Sequence, residues 1–574
     1  MIGLPVGQFL HWLVRGGRNQ HTTAISKRLA IASPTTTQPT TYLTRTTSPC
    51  RPIPTSPNPI LARLARLLPA MLLGIVAFSL VLEITEPPGP GLDPDALAYL
   101  GSAETLAAHG VYRVPTAKWW NRDSTEALAH FPPGYSTALA IPMRAGMTPT
   151  NAARLLQAIA AFITTATLVL LVADATSVLA AILFAVALFA NSAMHEVHVS
   201  VLSEPMFLAC LALTLAAMVR APDRPLRAGL PAAVGILTRY AGAALVGAAV
   251  LWALLRKGSL AERVRRAAIA LAPAVLLQGA WVLRTRRVAG TREIRKFALY
   301  GHLETTLREG ADTIAQWLVP DPAIDGALMP HHDLIALAAL TALAVVVALG
   351  VWHAWHPHWR WARDADAEGD DRMRDARRLL AAAGLLLACY VGVIGVSRVV
   401  ADPNIPFDDR ILAPALVLAA TITAVGIAAW WRRTRLDIAR IAMAGALLGW
   451  LAAAGTVTWM QASYVLDEGS DLVGPTWRKS AVTDWARHEG SLVPLYSNWP
   501  SALWFQLHRP VREVPRDRDA RTLAAFADSV RVRGGLVALY RVNSPEFASM
   551  DSLVKTRRLR VVRRLEDGVV LGAK

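Results

Sequence analysis

The residues best suited to catalysis lie in a polar segment that follows the first apolar run, LDPDALAYLGSAETLAAHGVYR. Asp95 and Tyr99 are four residues apart, so on a helix they share one face. Asp93 suits the N-cap of this helix, and Gly110 suits its end. A carboxylate on such a face could act as a base at a membrane surface. Asp93 and Asp95 could also simply cap the helix and complement its dipole, which is the commoner role at helix starts.

A second polar cluster lies in NSAMHEVHVSVLSEP, residues 191–205. On a helix His195 and His198 could share a face and bind a divalent metal together with Glu196 or Glu204. Alternatively, these side chains satisfy the polar end of a membrane helix, and the sequence favours this interpretation over a metal site. No cofactor is certain from the sequence, and a divalent metal is left open.

Several ionisable residues lie inside or at the ends of apolar runs, where a charge is costly and most often functional. Arg239 lies within GILTRYAGAAL, Arg284 ends WVLR, and Asp409 and Arg410 come directly before the apolar run at 411–431. Arginine binds phosphate through two parallel hydrogen bonds, so these residues could hold a phosphate group. Any single one could instead extend along apolar surface to the membrane interface.

The composition places these residues in a membrane protein. Of 574 residues, 53% are hydrophobic and 18% are charged, and the mean hydropathy is +0.35. Soluble domains are about 45–50% apolar and about 25% charged, so a soluble enzyme, a disordered chain and a simple nucleic-acid binder are all disfavoured. The net charge of +17 then suggests basic cytoplasmic loops and anionic lipid. Three cysteines, two of them in apolar runs, predict no disulfide framework.

The apolar runs predict about eleven membrane spans, each of about 20 residues. The run Leu230–Leu255 has basic loops at both ends, which favours two short helices that turn near Arg239 over one tilted span. The predicted spans are Leu64–Leu82, Ala152–Ala173, Val178–Ser192, Val199–Val219, the two halves of Leu230–Leu255, Ala267–Leu283, Leu334–Trp352, Leu379–Val396, Ile411–Trp431 and Ile438–Met460.

A cytoplasmic N-terminus puts the basic loops 353–378 and 432–437 inside, in agreement with the positive-inside rule. The same topology puts the long segments 83–151, 288–333 and 461–574 outside. The basic segment Arg284–Lys296 disagrees with it. Either the predicted topology is wrong there, or those charges bind an anion.

Three regions are predicted along the chain. Residues 1–58 are expected to be disordered and are assigned no function, because the stretch Ser33–Pro59 is rich in Thr, Pro and Ser. Residues 59–460 form an all-α polytopic membrane domain with the outer loop 83–151. Residues 461–574 form a small extracytoplasmic α/β domain. Its predicted elements are strands at Leu492–Tyr496 and Leu536–Tyr540, helices at Ser501–Leu507 and Ala520–Val530, and a terminal hairpin around Asp567-Gly568.

Together these motifs resemble the GT-C superfamily of integral-membrane glycosyltransferases, in particular the bacterial branch related to protein O-mannosyltransferases and the lipid A aminoarabinose transferase. The resemblance covers roughly residues 60–415, and the order of the motifs is more specific than any one of them. In chain order they are D-x-x-x-Y at Asp95 and Tyr99, with Ala103 and Gly110, the turn PPGY at Pro132–Tyr135, N-A-A-R at Asn151–Arg154, L-S-E-P at Leu202–Pro205, G-I-L-T-R at Gly235–Arg239 and D-R-I-L-A-P at Asp409–Pro414.

Two positions depart from the family pattern. Ile411 follows Arg410 where the family usually has an aromatic residue. Pro94 separates Asp93 from Asp95, whereas an acidic pair is common in this loop of protein O-mannosyltransferases. The second departure weakens the assignment of a protein as the acceptor.

The resemblance implies an inverting transfer of a sugar from a polyprenyl-phosphate donor to an acceptor hydroxyl at the outer face of a bacterial plasma membrane. Asp95 is then expected to be the general base. The residues expected to bind substrate are Asp93, Tyr99, Glu196, His198, Glu204, Arg239, Arg284, Asp409 and Arg410. Among them, the three arginines are expected to stabilise the departing phosphate, and Glu196, His198 and Glu204 to bind sugar hydroxyls or a metal.

The expected partners are the lipid-linked donor, membrane lipid and an acceptor that is a lipid, a glycan of the cell envelope or a protein, with no nucleic acid. The alternative is a transporter or lipid flippase that uses intramembrane charges without a covalent step. Such proteins often contain internal repeats, and none is apparent here. A non-catalytic scaffold would leave the ordered acidic and arginine motifs unexplained.

Overall fold

The computed structural model describes residues 59–289, 303–319, 331–356, 367–400, 405–434, 436–490, 493–542, 547–555 and 558–574. The predicted disordered segment 1–58 and most of the basic segment Arg284–Lys296 lie outside these residues. The described chain is mainly helical. Its helices are α1 (Pro59–Ile84), α2 (Ala96–His109), α3 (Gly134–Arg144), α4 (Pro149–Ala175), α5 (Val178–Phe189), α6 (Ser192–Val199), α7 (Glu204–Arg220), α8 (Pro225–Thr238), α9 (Ala243–Leu255), α10 (Leu260–Ala289), α11 (Leu303–Leu318), α12 (His332–Trp355), α13 (Ala367–Val400), α14 (Asp409–Arg433), α15 (Asp437–Glu468), α16 (Pro475–Arg478), α17 (Ala481–His488), α18 (Pro500–Leu507), α19 (Ala520–Arg533) and α20 (Met550–Lys555).

The strands are short. They lie near the C-terminus and in the first long loop, which is the segment 85–148 between α1 and α4. They are β1 (Arg113–Val114), β2 (Thr116–Ala117), β3 (Glu126–Ala127), β4 (Leu495–Ser497), β5 (Val511–Glu513), β6 (Leu536–Tyr540), β7 (Leu559–Leu565) and β8 (Gly568–Ala573).

Seven of the described helices, α1, α4, α10, α12, α13, α14 and α15, are long and apolar enough to cross a membrane. An eighth span results if α5 and α6, which meet at a bend of 63°, are counted as one. The protein is therefore a multi-pass membrane protein. Each predicted span contains a helix, but α7, α8 and α9 have only 17, 14 and 13 residues. The predicted number of about eleven spans is thus not confirmed.

The predicted turn at Arg239 is confirmed. Helix α8 ends at Thr238, Arg239 has an extended backbone, and a 3₁₀ turn at Tyr240–Gly242 leads into α9. Gly242 fits because a Cβ there would come within 2.3 Å of the backbone nitrogen of Ile236. This break places the Arg239 side chain at the junction of two helices rather than along one helix face.

The C-terminal region contains a six-stranded mixed sheet in the order β2-β5-β4-β6-β8-β7. Strands β2, β5, β4 and β6 are parallel, whereas β8 is antiparallel to β6 and to β7. The predicted hairpin is confirmed, because β7 and β8 pair with Leu565 opposite Gly568. The apolar core on one side of this sheet includes Phe526 of α19 and Tyr496 of β4.

The edge strand β2 comes from the first long loop and not from the C-terminal region. Its residue Thr116 is paired with Val511 of β5. Arg512 strengthens this contact, because it donates to the carbonyls of Asn121 and Arg122 at 2.8 Å each. The predicted domain boundary at residue 461 therefore leaves out a strand that completes the sheet.

Candidate active site

A partly buried charged network joins the first long loop to α7, to the break between α8 and α9, and to α14. We call Asp93, Asp95, Glu204, Arg239 and Arg410 the charged cluster. It contains three carboxylates and two guanidinium groups, joined by direct ion pairs. These residues are far apart in sequence, so only the folded chain brings them together.

Arg410 contacts all three carboxylates of the charged cluster. Its Nη2 donates to Asp95 Oδ2 at 2.6 Å, its Nη1 donates to Asp93 Oδ2 at 3.3 Å, and its Nε donates to Glu204. The side chain is positioned by the start of α14, where Asp408 accepts a hydrogen bond from the backbone N–H of Ile411. This N-cap sets the first turn of α14, and Arg410 lies in that turn.

Glu204 lies between the two arginines and is almost completely buried, with 1% of its surface exposed. Arg239 contacts Glu204 Oε1 at 2.5 Å, and Arg410 contacts the same oxygen. Ser203 donates to Glu204 Oε2 at 3.2 Å and accepts from Arg239 at 3.1 Å. A buried carboxylate is stable only with such partners, so the L-S-E-P motif builds the deepest part of the charged cluster.

Asp93 both caps a helix and takes part in the charged cluster. Its Oδ1 accepts the backbone N–H of Asp95 at 2.9 Å, while Oδ2 faces Arg410. Helix α2 begins at Ala96, and it ends at Gly110 as predicted, with a φ of +70°. Burial, and then the charge of Asp95, raise the pKa of Asp93, although Arg410 opposes both effects. Capping and a role in the site are therefore compatible.

Asp95 presents its carboxylate to Arg410. Among the described residues, Arg410 provides the only side chain that donates a hydrogen bond to this carboxylate, and the contact is to Oδ2. About a third of the Asp95 side chain is exposed, compared with 1% for Glu204. Asp93 is equally exposed, but both of its oxygens accept hydrogen bonds, whereas no described residue donates to Asp95 Oδ1. Asp95 is thus the carboxylate with an oxygen that an incoming substrate can reach.

Tyr99 packs behind the carboxylates. Its hydroxyl lies 3.3 Å from Ser203 Oγ, and its ring contacts those of Phe131 and Tyr135 at 4.9 and 5.1 Å between centroids. Burial, followed by the charges of Asp95 and Glu204, raises the pKa of Tyr99, so the hydroxyl stays protonated. Tyr99 is expected from the resemblance to bind substrate, whereas the contact of its hydroxyl in the structure is with Ser203.

The PPGY turn brings the aromatic residues to the charged cluster. Gly134 lies against the end of α8, where a Cβ would come within 2.6 Å of the carbonyl oxygen of Leu237. The next residue, Tyr135, is completely buried. The turn therefore packs against Leu237, two residues before Arg239. The sequence did not predict this contact.

Two of the predicted site residues point elsewhere. Arg284 stacks on Trp281 and Tyr112, with its guanidinium carbon 4.7 and 5.5 Å from the ring centroids, and donates to the carbonyls of Tyr112 and Leu128. Asp409 accepts a hydrogen bond from Trp317 Nε1 at 2.7 Å. Arg284 thus holds the first long loop on α10, and Asp409 fastens α14 to α11.

The histidine cluster does not form a metal site in the part of the chain that the structure describes. His198 is buried, and its Nδ1 contacts the carbonyl oxygen of Met194 at 2.7 Å. Within these described residues, no group of three or more His, Cys, Asp or Glu side chains is arranged to hold a metal. In the charged cluster, the carboxylates pair with arginines.

Two cavities lie close to the charged cluster. The larger has a volume of about 1040 Å³ and is mostly apolar, with Pro133, Met206, Leu237, Trp281 and Arg284 among its lining residues. The smaller has a volume of about 510 Å³ and is lined partly by polar residues of α6, α15 and the segment that follows α15. Glu196, predicted to bind substrate, lines the smaller cavity.

Solved structures share the overall arrangement. The arabinofuranosyltransferase AftD from Mycobacteria is similar at a TM-score of 0.52 and 15% identity, over 88% of this chain and 40% of AftD. This chain thus spans about two fifths of that protein's length. No family model matches the sequence, and neither does any curated protein.

Two further structures are similar at lower scores. ArnT from Cupriavidus metallidurans in the apo state has a TM-score of 0.41 at 15% identity, over 89% of this chain and 98% of ArnT. The Archaeoglobus fulgidus oligosaccharyltransferase in the apo form has a TM-score of 0.44 at 12% identity, over 82% of this chain and 69% of the other. The likeness to AftD agrees with the predicted GT-C-like fold.

Proposed function

We propose that this chain, which has the GT-C-type fold, is an inverting membrane glycosyltransferase. It transfers a sugar from a polyprenyl-phosphate donor to an acceptor hydroxyl at the outer face of the membrane. The observation that carries the proposal is the charged cluster, in which a partly exposed Asp95 is held by Arg410 beside the ion pair of the buried Glu204 with Arg239.

Asp95 acts as the general base in this proposal. Arg410 occupies Oδ2, and Oδ1 takes the proton of the acceptor hydroxyl as its oxygen attacks the anomeric carbon. The bond between that carbon and the phosphate oxygen breaks, and its electron pair leaves with the polyprenyl phosphate. A single displacement of this kind inverts the anomeric configuration.

Arg239 and Arg410 supply positive charge next to the reacting atoms. A phosphate leaving group gains negative charge as the glycosidic bond breaks, and preorganised cations stabilise that charge most strongly where water is excluded. Both guanidinium groups are already oriented by Glu204. Little reorganisation is therefore needed when the phosphate departs.

The larger cavity supports a lipid-linked donor. Its lining is mostly apolar, and it includes Met206 and Leu237, which are two residues from Glu204 and Arg239 respectively. An apolar cavity of this kind suits a polyprenyl chain whose phosphate reaches the charged cluster. Arg284 lines the same cavity, but its donation to backbone carbonyls assigns it to the support of the wall.

The helix directions support an outer-face site. Helices α7, α9 and α14 all begin beside the charged cluster and end at basic residues. These residues are Arg220 at the end of α7, Arg256 and Lys257 after α9, and Arg432 in α14. Basic loops face the cytoplasm, so the opposite helix ends, which carry the site, face outwards.

Incubation of the purified protein with a panel of polyprenyl-phosphate sugars tests the proposal. The panel includes pentofuranoses, because AftD is named an arabinofuranosyltransferase, as well as hexoses. Release of polyprenyl phosphate together with a new glycoside of inverted configuration is expected. In liposomes, movement of an intact donor across the bilayer without bond cleavage would instead establish the transporter or flippase.

A further inference from the structure

The smaller cavity has a polar lining that the charged cluster does not use. Its polar residues are His195, Glu196, Ser200, Gln461, Tyr464, Ser470 and Asp471, and valines and Met460 form the apolar remainder. Two atoms of lining residues, His195 Nε2 and Ser470 Oγ, are buried and have no hydrogen-bond partner within the described chain. Buried polar atoms without partners are costly, so a ligand with several hydroxyl groups would stabilise this cavity.

The charge around the cavity is negative. Glu196 and Asp471 line it. Burial, followed by the charges of Asp409, Asp408 and Asp471, raises the pKa of Glu196 to about 7, so this carboxyl is fully charged only above neutral pH. No lysine or arginine occurs among the described residues of the lining. Arg410 is the nearby cation, but it does not line this cavity. An anionic ligand would therefore be repelled, whereas an uncharged one would not.

The cavity shares a wall with the charged cluster. Ser200 donates to Asp471 at 2.8 Å, and the backbone of Gly91 and Leu92 forms bridges to Ser200 and Asp471 respectively. The next residue is Asp93, which contacts Arg410. A hydroxyl of a ligand in this cavity could thus reach the cluster without crossing the apolar cavity.

Resting on the proposed function, we infer that the smaller cavity binds the acceptor, and that this acceptor is an uncharged glycan. Its hydroxyl groups pair with the polar lining, its C–H faces contact the valines and Met460, and one hydroxyl points to Asp95. The negative lining selects against acceptors that carry phosphate.

Binding and transfer can be tested with three probes: a neutral octyl glycoside of a disaccharide, the same compound with a phosphate on its terminal sugar, and a serine-containing peptide. Binding to the purified full-length protein is followed by saturation-transfer NMR without a donor. Transfer is followed with a labelled polyprenyl-phosphate sugar, and hydrolysis of that donor by water is recorded separately. The neutral glycoside should bind and accept sugar at least about tenfold better than the phosphorylated one, since one repulsive charge contact in partly aqueous surroundings is of this order.

Three variants test whether the preference for the neutral glycoside arises in the smaller cavity. At pH 8.5, where the Glu196 carboxyl is ionised, Glu196→Gln removes one negative charge from the lining and should reduce the preference for the neutral glycoside. Gln461→Trp puts an indole ring into the cavity from an exposed position and should abolish glycoside binding while donor hydrolysis continues. Glu489→Gln is the matched control, because Glu489 is an exposed carboxylate that pairs with Arg563 far along the chain, and it should leave the preference unchanged.

The inference is overturned if the phosphorylated glycoside or the peptide is preferred, if the neutral glycoside does not bind, or if Glu196→Gln leaves the preference intact. Continued donor hydrolysis in these cases shows that the proposed glycosyltransferase still stands. Failure of every donor to be hydrolysed or transferred contradicts the proposed function, and the NMR result then decides the glycan site by itself.

Discussion

Glu204 holds the two arginines of the charged cluster, and the reason is electrostatic. Its carboxylate is buried and contacts both Arg239 and Arg410. Each guanidinium group in turn needs a counter-charge, because an unpaired buried charge costs several kcal/mol. The stability of the site and the orientation of its cations therefore depend on the same residue.

Substitution Glu204→Gln should lower both stability and activity. It keeps the shape of the side chain but leaves two arginines with one carboxylate fewer, and breaking a buried pair costs about 3–5 kcal/mol. We expect a lower Tm in detergent and loss of sugar transfer. Glu489→Gln, at an exposed ion pair, should leave both unchanged. An unaltered Tm in Glu204→Gln would show that the arginines do not depend on this carboxylate.

The sequence identifies the kinds of residues in the charged cluster but not their pairing. Charges at the ends of apolar runs indicated Arg239 and Arg410, and the motif order indicated Asp95 and Glu204. Their contacts span up to 317 residues of chain, and such contacts depend on how the helices pack. Ser203 was missed as a partner because a serine before Glu204 and Pro205 is equally suited to a helix cap.

At the scale of elements, the start of α14 determines where Arg410 lies. The Asp408 cap fixes the first turn, and the hydrogen bond from Trp317 of α11 holds Asp409. Helix α11 contacts this region twice more, because Thr313 donates to the carbonyl of Phe407 at 2.6 Å and Glu309 pairs with Arg398. Helix α11 thus supports the turn that carries Arg410.

Substitution Trp317→Phe should loosen this support. It removes the donor to Asp409 but keeps an aromatic ring, and hydrogen bonds to charged groups contribute about 1.5–3 kcal/mol. We expect a lower Tm and a reduced kcat, measured on the same preparation. Trp352→Phe, at an exposed tryptophan of α12, is the control. Equal behaviour of the two variants would argue that the contact with Asp409 does not position α14.

The positions of the helices were easier to predict than the number of times the chain crosses the membrane. Apolar runs of sufficient length occur wherever the structure has a membrane helix, and the change from Thr238 to an extended Arg239 agrees with the predicted turn. The lengths of α7, α8 and α9 depend on where they meet neighbouring helices, which a hydropathy pattern does not contain. Strand β2 was not predicted because two residues carry too little pattern to be distinguished from a loop.

At the scale of the whole molecule, the first long loop links the membrane helices to the C-terminal sheet. Arg533 of α19 donates to the carbonyls of Trp119 and Asn121, and Arg512 donates to that of Asn121. The same loop carries α2, and therefore Asp95. The C-terminal region thus stabilises the loop on which the proposed base lies.

Substitution Arg533→Ala should release the 118–122 part of this loop. Three backbone carbonyls lose a charged donor, so we expect faster hydrogen exchange in this segment and a smaller decrease in transfer. Arg531→Ala is the matched control, since Arg531 is on the same helix but contacts only Asp528 among the described residues. Unchanged exchange in Arg533→Ala would show that the strand pairing of β2 alone holds the loop.

The proposed orientation predicts which surfaces an impermeant thiol reagent can reach. In a background without Cys50, Cys210 and Cys389, the variant Arg518→Cys should be labelled in intact cells, because residue 518 is exposed on the C-terminal region. The variant Lys257→Cys, in the basic loop after α9, should be labelled only after the membrane is opened. The reverse pattern would place the charged cluster on the cytoplasmic side.

The central claim is that Asp95 accepts the proton of the acceptor hydroxyl, and Asp95→Asn tests it most directly. Purified wild-type protein and the variant are given the same labelled polyprenyl-phosphate sugar and acceptor, and the glycoside product and its anomeric configuration are measured. We predict an inverted product from the wild type and a decrease of about 10²–10⁴-fold in the variant, with an unchanged Tm and donor binding. Transfer by Asp95→Asn at a rate near that of the wild type, or a product of retained configuration, would contradict this account.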